Sequence, residues 1–92
     1  MVAKVYNLTL TNPNTEYSFN VPSNTKYILI KGRSGEVDIK MSYDVGTSGT
    51  SYITIPATST KTIVGSDKET MSDIILYFQA TATDVVEIET WQ

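Results

Sequence analysis

The sequence has no cysteine and no histidine. Without cysteine there is no disulfide and no thiolate metal site to support the fold. Without histidine the commonest general base and the commonest metal ligand are both missing. No run approaches the ~20 consecutive apolar residues of a membrane-spanning helix. Met1-Val2-Ala3-Lys4-Val5 lacks the apolar h-region of a secretory signal. Asn7-Leu8-Thr9 matches a glycosylation sequon, which without that signal reads as chance. The net charge of −3 argues against a nucleic-acid partner. These absences predict a chain with no cofactor, no metal, no membrane and no nucleic acid, made in the cytosol or built into a particle assembled there.

Alternation is what the sequence has in quantity. Tyr6, Leu8 and Leu10 alternate with polar residues, and so do Tyr17, Phe19 and Val21, and Val37, Ile39, Met41 and Tyr43. A period of two marks half-buried strands. Tyr27-Ile28-Leu29-Ile30 is an unbroken apolar run and reads as a central strand. Tyr52-Ile53-Thr54-Ile55 is a short strand stopped by Pro56, and Thr60, Thr62 and Val64 suggest a weak strand, or an edge strand marked by Lys61. Ile74-Ile75-Leu76-Tyr77-Phe78 and Val85-Val86-Glu87-Ile88-Glu89-Thr90-Trp91 follow closely on one another and read as an antiparallel pair. Asn12-Pro13-Asn14, Pro22-Ser23-Asn24 and Gly32-Arg33-Ser34-Gly35 supply turn chemistry between them. Residues 44–50, with two glycines and three small hydroxyl side chains, are the least ordered stretch by composition. Residues 65–70 read as a turn, with one helical turn capped by Ser66 as the alternative.

Eight candidate strands, turns roughly every 8–12 residues and no amphipathic helical pattern predict an all-β fold. The expected architecture is a single antiparallel β-sandwich over residues 1–92, Ig-like or jelly-roll-like. Serine and threonine supply 23 of the 92 residues, which suits exposed sheet faces.

The chemistry of catalysis is sparse. Ser23-Asn24-Thr25-Lys26 has Ser-x-x-Lys spacing, but it spans a turn rather than a helix face. Ser66-Asp67-Lys68 is a turn composition first. Glu87 and Glu89, two apart on one strand, share a solvated face rather than flank a cleft. Asp67, Glu69 and Asp73 do not fit a calcium loop. The glycines at 32, 35, 46 and 49 lack the lysine arrangement of a phosphate-binding loop. No catalytic, cofactor-binding or metal residue is assigned, and the chain is read as no enzyme.

Of the aromatics, Tyr6, Tyr17, Tyr27, Tyr43 and Phe19 fall at apolar positions and are expected in the core. Tyr77 and Trp91 are out of phase with their apolar neighbours. Trp91 has two readings: an interface anchor, or a cover for the open end of its own core. Charge is uneven as well, with residues 1–66 at +2 and residues 67–92 at −5. Solvated faces account for this, and head-to-tail pairing between copies is the sharper alternative. The expected interface residues are Arg33, Asp44, Tyr77 and Trp91.

Leu76-Tyr77-Phe78-Gln79, then Val86-Glu87-Ile88-Glu89-Thr90-Trp91, with Tyr52-Ile53-Thr54-Ile55-Pro56-Ala57 upstream, resembles the strand pattern of small bacteriophage virion β-sandwich proteins. The resemblance implies a non-catalytic capsid decoration, cement or head-accessory protein. It would be located in the virion, be a homo-oligomer and have the phage major capsid protein as partner. A carbohydrate- or receptor-binding β-sandwich module is the alternative.

Overall fold

A computed structural model describes residues 2–65 and 73–92. The eight strands are β1 (Ala3–Leu10), β2 (Tyr17–Asn20), β3 (Tyr27–Gly32), β4 (Ile39–Ser42), β5 (Ile53–Ile55), β6 (Lys61–Val64), β7 (Ile75–Gln79) and β8 (Asp84–Trp91). They form two antiparallel four-stranded sheets, one in the order β1-β8-β3-β6 and one in the order β2-β7-β4-β5. The first is called the long sheet and the second the short sheet, after their strands.

The pairings explain the order. β1 pairs with β8, β2 with β7, β3 with β6 and β4 with β5. First meets last, working inward, as in one long hairpin whose successive strand pairs alternate between two sheets. This is the connectivity of a jelly roll, and it decides between the two sandwich types the sequence leaves open. An Ig-like sandwich would pair several consecutive strands within one sheet. Here β4 and β5 are the consecutive strands that pair.

One expectation fails on this point. β7 and β8 do not pair with each other, because β7 lies between β2 and β4 while β8 lies between β1 and β3. The short connection at 80–83 crosses the sandwich instead of closing a hairpin. Both strands are buried on one face and hydrogen-bonded on both sides, and a hairpin between them would cost each one of those neighbours.

Alternation places the core. Leu10, Ile28, Ile30, Val86 and Ile88 point in from the long sheet, and Ile39, Met41, Ile55, Leu76 and Phe78 from the short one. Each fully buried side chain of this size is worth about 1.5–3 kcal/mol of transfer free energy. Tyr6 on β1 packs edge-on against Phe19 on β2, ring centres 5.1 Å apart, and so ties the two sheets together along one side. Tyr17 is partly buried against the same core.

Two of the aromatics expected inside are not. Tyr27 is 39% exposed and Tyr43 48%. With Ile28 and Ile30 facing in, the pleat turns Tyr27 and Leu29 to the outer face. β4 ends at Ser42, so the alternation that would carry Tyr43 inward stops one residue before it. The first strand also starts earlier than its alternation suggests, at Ala3 rather than Tyr6. Apart from Gly65, the turn at 65–70 lies outside the described residues, as does the Ser66-Asp67-Lys68 stretch.

Candidate binding face

The two sheets present very different outer faces. On the long sheet, strand register aligns the outward side chains in rows. Ala3, Trp91, Tyr27 and Val64 form one row, and Val5, Glu89, Leu29 and Thr62 the next. Asn7, Glu87 and Lys31 form a third. The apolar end is open: Val5 is 68% exposed and Val64 62%. Trp91 is half-buried, and its indole Nε1 donates to Glu89 Oε1 at 2.7 Å. Trp91 therefore lies on an outer face and does not close the core.

The charged end is built around Glu87. Arg33 Nε donates to its Oε2 at 3.0 Å, and Lys31 Nζ lies 3.5 Å from its Oε1. The Arg33 hydrogen bond, with Lys31 adding to it, holds the Glu87 carboxyl below its ordinary value against a smaller opposing effect of desolvation. Arg33 itself is placed by the turn that follows β3. Asp84 accepts from the Ser34 backbone N–H and from Ser34 Oγ. A side chain at Gly32 would place its Cβ 3.0 Å from Asp84 Oδ2, tighter than most side chains sit, so the close approach is made easy by glycine. Between the two ends lies a shallow depression of about 280 Å³ lined by Val5, Leu29, Lys31, Thr60, Glu87 and Glu89.

One part of the short sheet's outer face, around Gln79, is covered by its own chain, while Ser18, Asn20, Thr54 and Ile75 stay exposed. Residues 44–50 fold back and are pinned by Glu16, which accepts hydrogen bonds from Gly46 N (2.8 Å), Ser48 N (3.1 Å) and Ser48 Oγ (2.6 Å). Ser48 is buried and also lies 3.1 Å from Gln79 Oε1. The stretch with the least ordered composition is thus held at its centre. The Ser48 hydroxyl, together with the Gly46 and Ser48 amides, lowers the Glu16 pKa against partial desolvation. Lys40 Nζ sits 4.9 Å from the centre of the Tyr52 ring on the same sheet.

Of the four expected interface residues, Arg33 and Trp91 share the long-sheet face, about 20 Å apart along β8. Asp44 and Tyr77 belong to the other side. Asp44 is exposed, and its carbonyl accepts from the Thr47 hydroxyl at 2.7 Å. Tyr77 is half-buried, between Ser18 and Ser42 in the register of the short sheet. Tyr27, Leu29, Val5 and Val64 are additional members of the long-sheet face. Lys31 carried the signal for two of them, because an exposed lysine at the end of an apolar run puts every second residue before it on its own face.

Ser23 and Lys26 lie in the turn before β3. Asp67 and Glu69 lie outside the described residues, and no group of three or more acidic side chains among the described residues is placed to hold a metal ion. Comparison with protein families, curated proteins and solved structures finds no match.

Proposed function

We propose that this chain is a non-catalytic structural protein of a bacteriophage particle, a capsid decoration or head-accessory module that docks on the major capsid protein through the outer face of its long sheet. The observation that carries the reading is the row Ala3, Trp91, Tyr27 and Val64: apolar and aromatic side chains aligned on a face that no described segment covers. Interface hot spots favour tryptophan, tyrosine and arginine, and this face supplies all three. The likeness of the strand pattern to small virion proteins supports the same reading. Jelly rolls serve capsid proteins and lectins alike, so the surface rather than the topology selects the function.

The carbohydrate-binding alternative has one observation of its own. The depression beside Trp91 and Tyr27 combines an apolar floor with the carboxylates of Glu87 and Glu89, the Lys31 ammonium and the Thr60 hydroxyl. Against it, the indole N–H is already bonded within the chain and the Glu87 carboxylate is already ion-paired.

The test is binding of purified protein to undecorated capsids, with and without chelator. Saturation at a fixed number of copies per particle, indifferent to chelator, is expected. Trp91→Ala should weaken binding by about 2 kcal/mol or more with the fold intact. Arg33→Ala should cost less, because its guanidinium is already engaged by Glu87. Protein that ignores capsids and binds a defined sugar on a glycan array would replace this reading with the alternative.

A further inference from the structure

The two sheets have four edge strands, and three of them are blunted. β2 and β6 have four residues each and β5 three. β6 also carries Lys61 opposite Ile30, a residue of the inward face. Short strands and inward-directed charge are the usual protections of a sheet edge. β1 differs in length: its one inward-directed charge, Lys4 opposite Thr90, lies near its start and leaves Val5 to Leu10 without a charge. The strand runs eight residues, contains no proline and keeps an unbroken register with β8 from Ala3 to Leu10.

The direction of its free hydrogen-bonding groups follows from the ladder. Val2 N donates to Gln92 O and Gln92 N donates to Val2 O, so Val2 spends both backbone groups on the β8 side. Backbone groups alternate along a strand, so those of Ala3, Val5, Asn7 and Thr9 point to the open edge. The side chains of these four residues are all exposed, and none is ionisable.

We infer that the β1 edge is a homotypic interface, on which β1 of a second copy adds antiparallel about a two-fold axis through Asn7. In that register Val5 faces Thr9 of the second copy and the two Asn7 side-chain amides meet on the axis, where each can donate to the other. About six new backbone hydrogen bonds form, from Val5, Asn7 and Thr9 of each chain. The charged residue of the strand, Lys4, lies three positions from the axis, so the two lysines stand about 20 Å apart. That exceeds the ~8 Å Debye length at physiological salt, so the pairing carries no like-charge penalty. The occupant is a second copy because the exposed, uncharged edge residues of β1 match their own two-fold mates, Asn7 with Asn7 and Val5 with Thr9, and no charge is set against a like charge. The two long sheets then become one continuous eight-stranded sheet, and the face carrying Val5 and Trp91 runs on across the axis. The inference does not depend on capsid binding.

Sedimentation equilibrium of the whole chain over a concentration series tests it. The wild type is expected as a reversible monomer–dimer. Asn7→Pro removes an N–H that faces the open edge and no bond to β8, so it should give a monomer with an unchanged circular dichroism spectrum. Val5→Lys with Thr9→Lys sets lysine against lysine across the axis and should weaken the dimer at least about tenfold. Val5→Lys with Thr9→Glu sets lysine against glutamate in this register and should restore it. A wild type that stays monomeric to about 1 mM overturns the proposal. So does a dimer that is indifferent to Asn7→Pro and to the double-lysine variant, since it forms through another surface. Failure of the Lys/Glu pair to restore a dimer that the double lysine has weakened overturns the Asn7-centred register.

Discussion

The outer faces of the two sheets are built from the same kinds of strand, yet one is partly covered by a pinned loop and the other carries no such loop among the described residues. On the short sheet, Glu16 reaches across from before β2 to hold the 44–50 loop by two backbone amides and one hydroxyl. On the long sheet, the polar groups satisfy one another within the face: Glu87 with Arg33 and Lys31, and Glu89 with the Trp91 indole. The apolar rows beside them stay exposed. A sandwich needs apolar residues on the inner side of each sheet alone. An outer face that spends rows of apolar side chains on solvent is therefore the one to associate with recognition, and a loop pinned over part of a face is the feature to associate with stability.

Three changes would break or sharpen this contrast. The largest effect is expected from deleting residues 85–92. β8 is the strand that holds β1 and β3 together, so its loss removes the long sheet as a sheet. A domain with about 5–15 kcal/mol of total stability cannot absorb that loss, and folding should be abolished. A soluble truncation that still unfolds cooperatively in urea would mean that the short sheet stands alone.

Glu16→Ala should have an intermediate effect confined to the short sheet. It leaves the Ser48 amide without its partner and the Ser48 hydroxyl with Gln79 alone, at a cost of about 1–3 kcal/mol in urea unfolding. Hydrogen exchange at Gly46 and Ser48 should speed up while that at Ile88 is unchanged. The same clamp responds to pH. Because the folded-state pKa of Glu16 is lowered, its contribution is fully present above the ordinary glutamate value of 4.5 and is lost as pH falls through the lower folded value. Acidification below about 4.5 should therefore loosen the loop in the wild type and leave the Glu16→Ala loop as it was.

The smallest effect has the opposite sign. Thr90 is fully buried on the inner face of the long sheet, opposite Ile28 and Lys4, and its hydroxyl has no hydrogen-bond partner among the described residues. Thr90→Val keeps the shape and removes the orphaned hydroxyl. It should raise stability by up to about 1 kcal/mol, read as an upward shift of the thermal midpoint.

Strand positions could be read closely where an alternating pattern fell within a strand. Leu10, Phe19, Ile39, Met41 and Ile88 all lie where a period of two placed them, because which way a side chain points along a strand is settled by the pleat itself. The reading failed at Tyr43, where β4 ends one residue before the alternation does, and where the pattern did not alternate. Tyr27-Ile28-Leu29-Ile30 is apolar throughout and carries no phase of its own, so Tyr27 could not be told from a core residue until Lys31 was taken into account. Of the candidate face, Trp91 and Arg33 were visible as residue types out of phase or in a turn. That they share a surface with Val5 and Val64 was not, since β1 and β6 reach that surface through β8 and β3.

The sequence alone determined an all-β chain of eight short strands with neither cysteine nor histidine, because alternation, turn chemistry and composition are local properties. Tertiary structure decided which strands pair, which face is open and which loop is ordered. First pairing with last joins residues some 80 positions apart, and the Glu16 clamp on Gly46 and Ser48 spans 30 and 32 positions. The adjacent β7 and β8 are sent to opposite sheets. Such contacts depend on how the whole chain buries both sheets at once, and no local window of sequence carries that information.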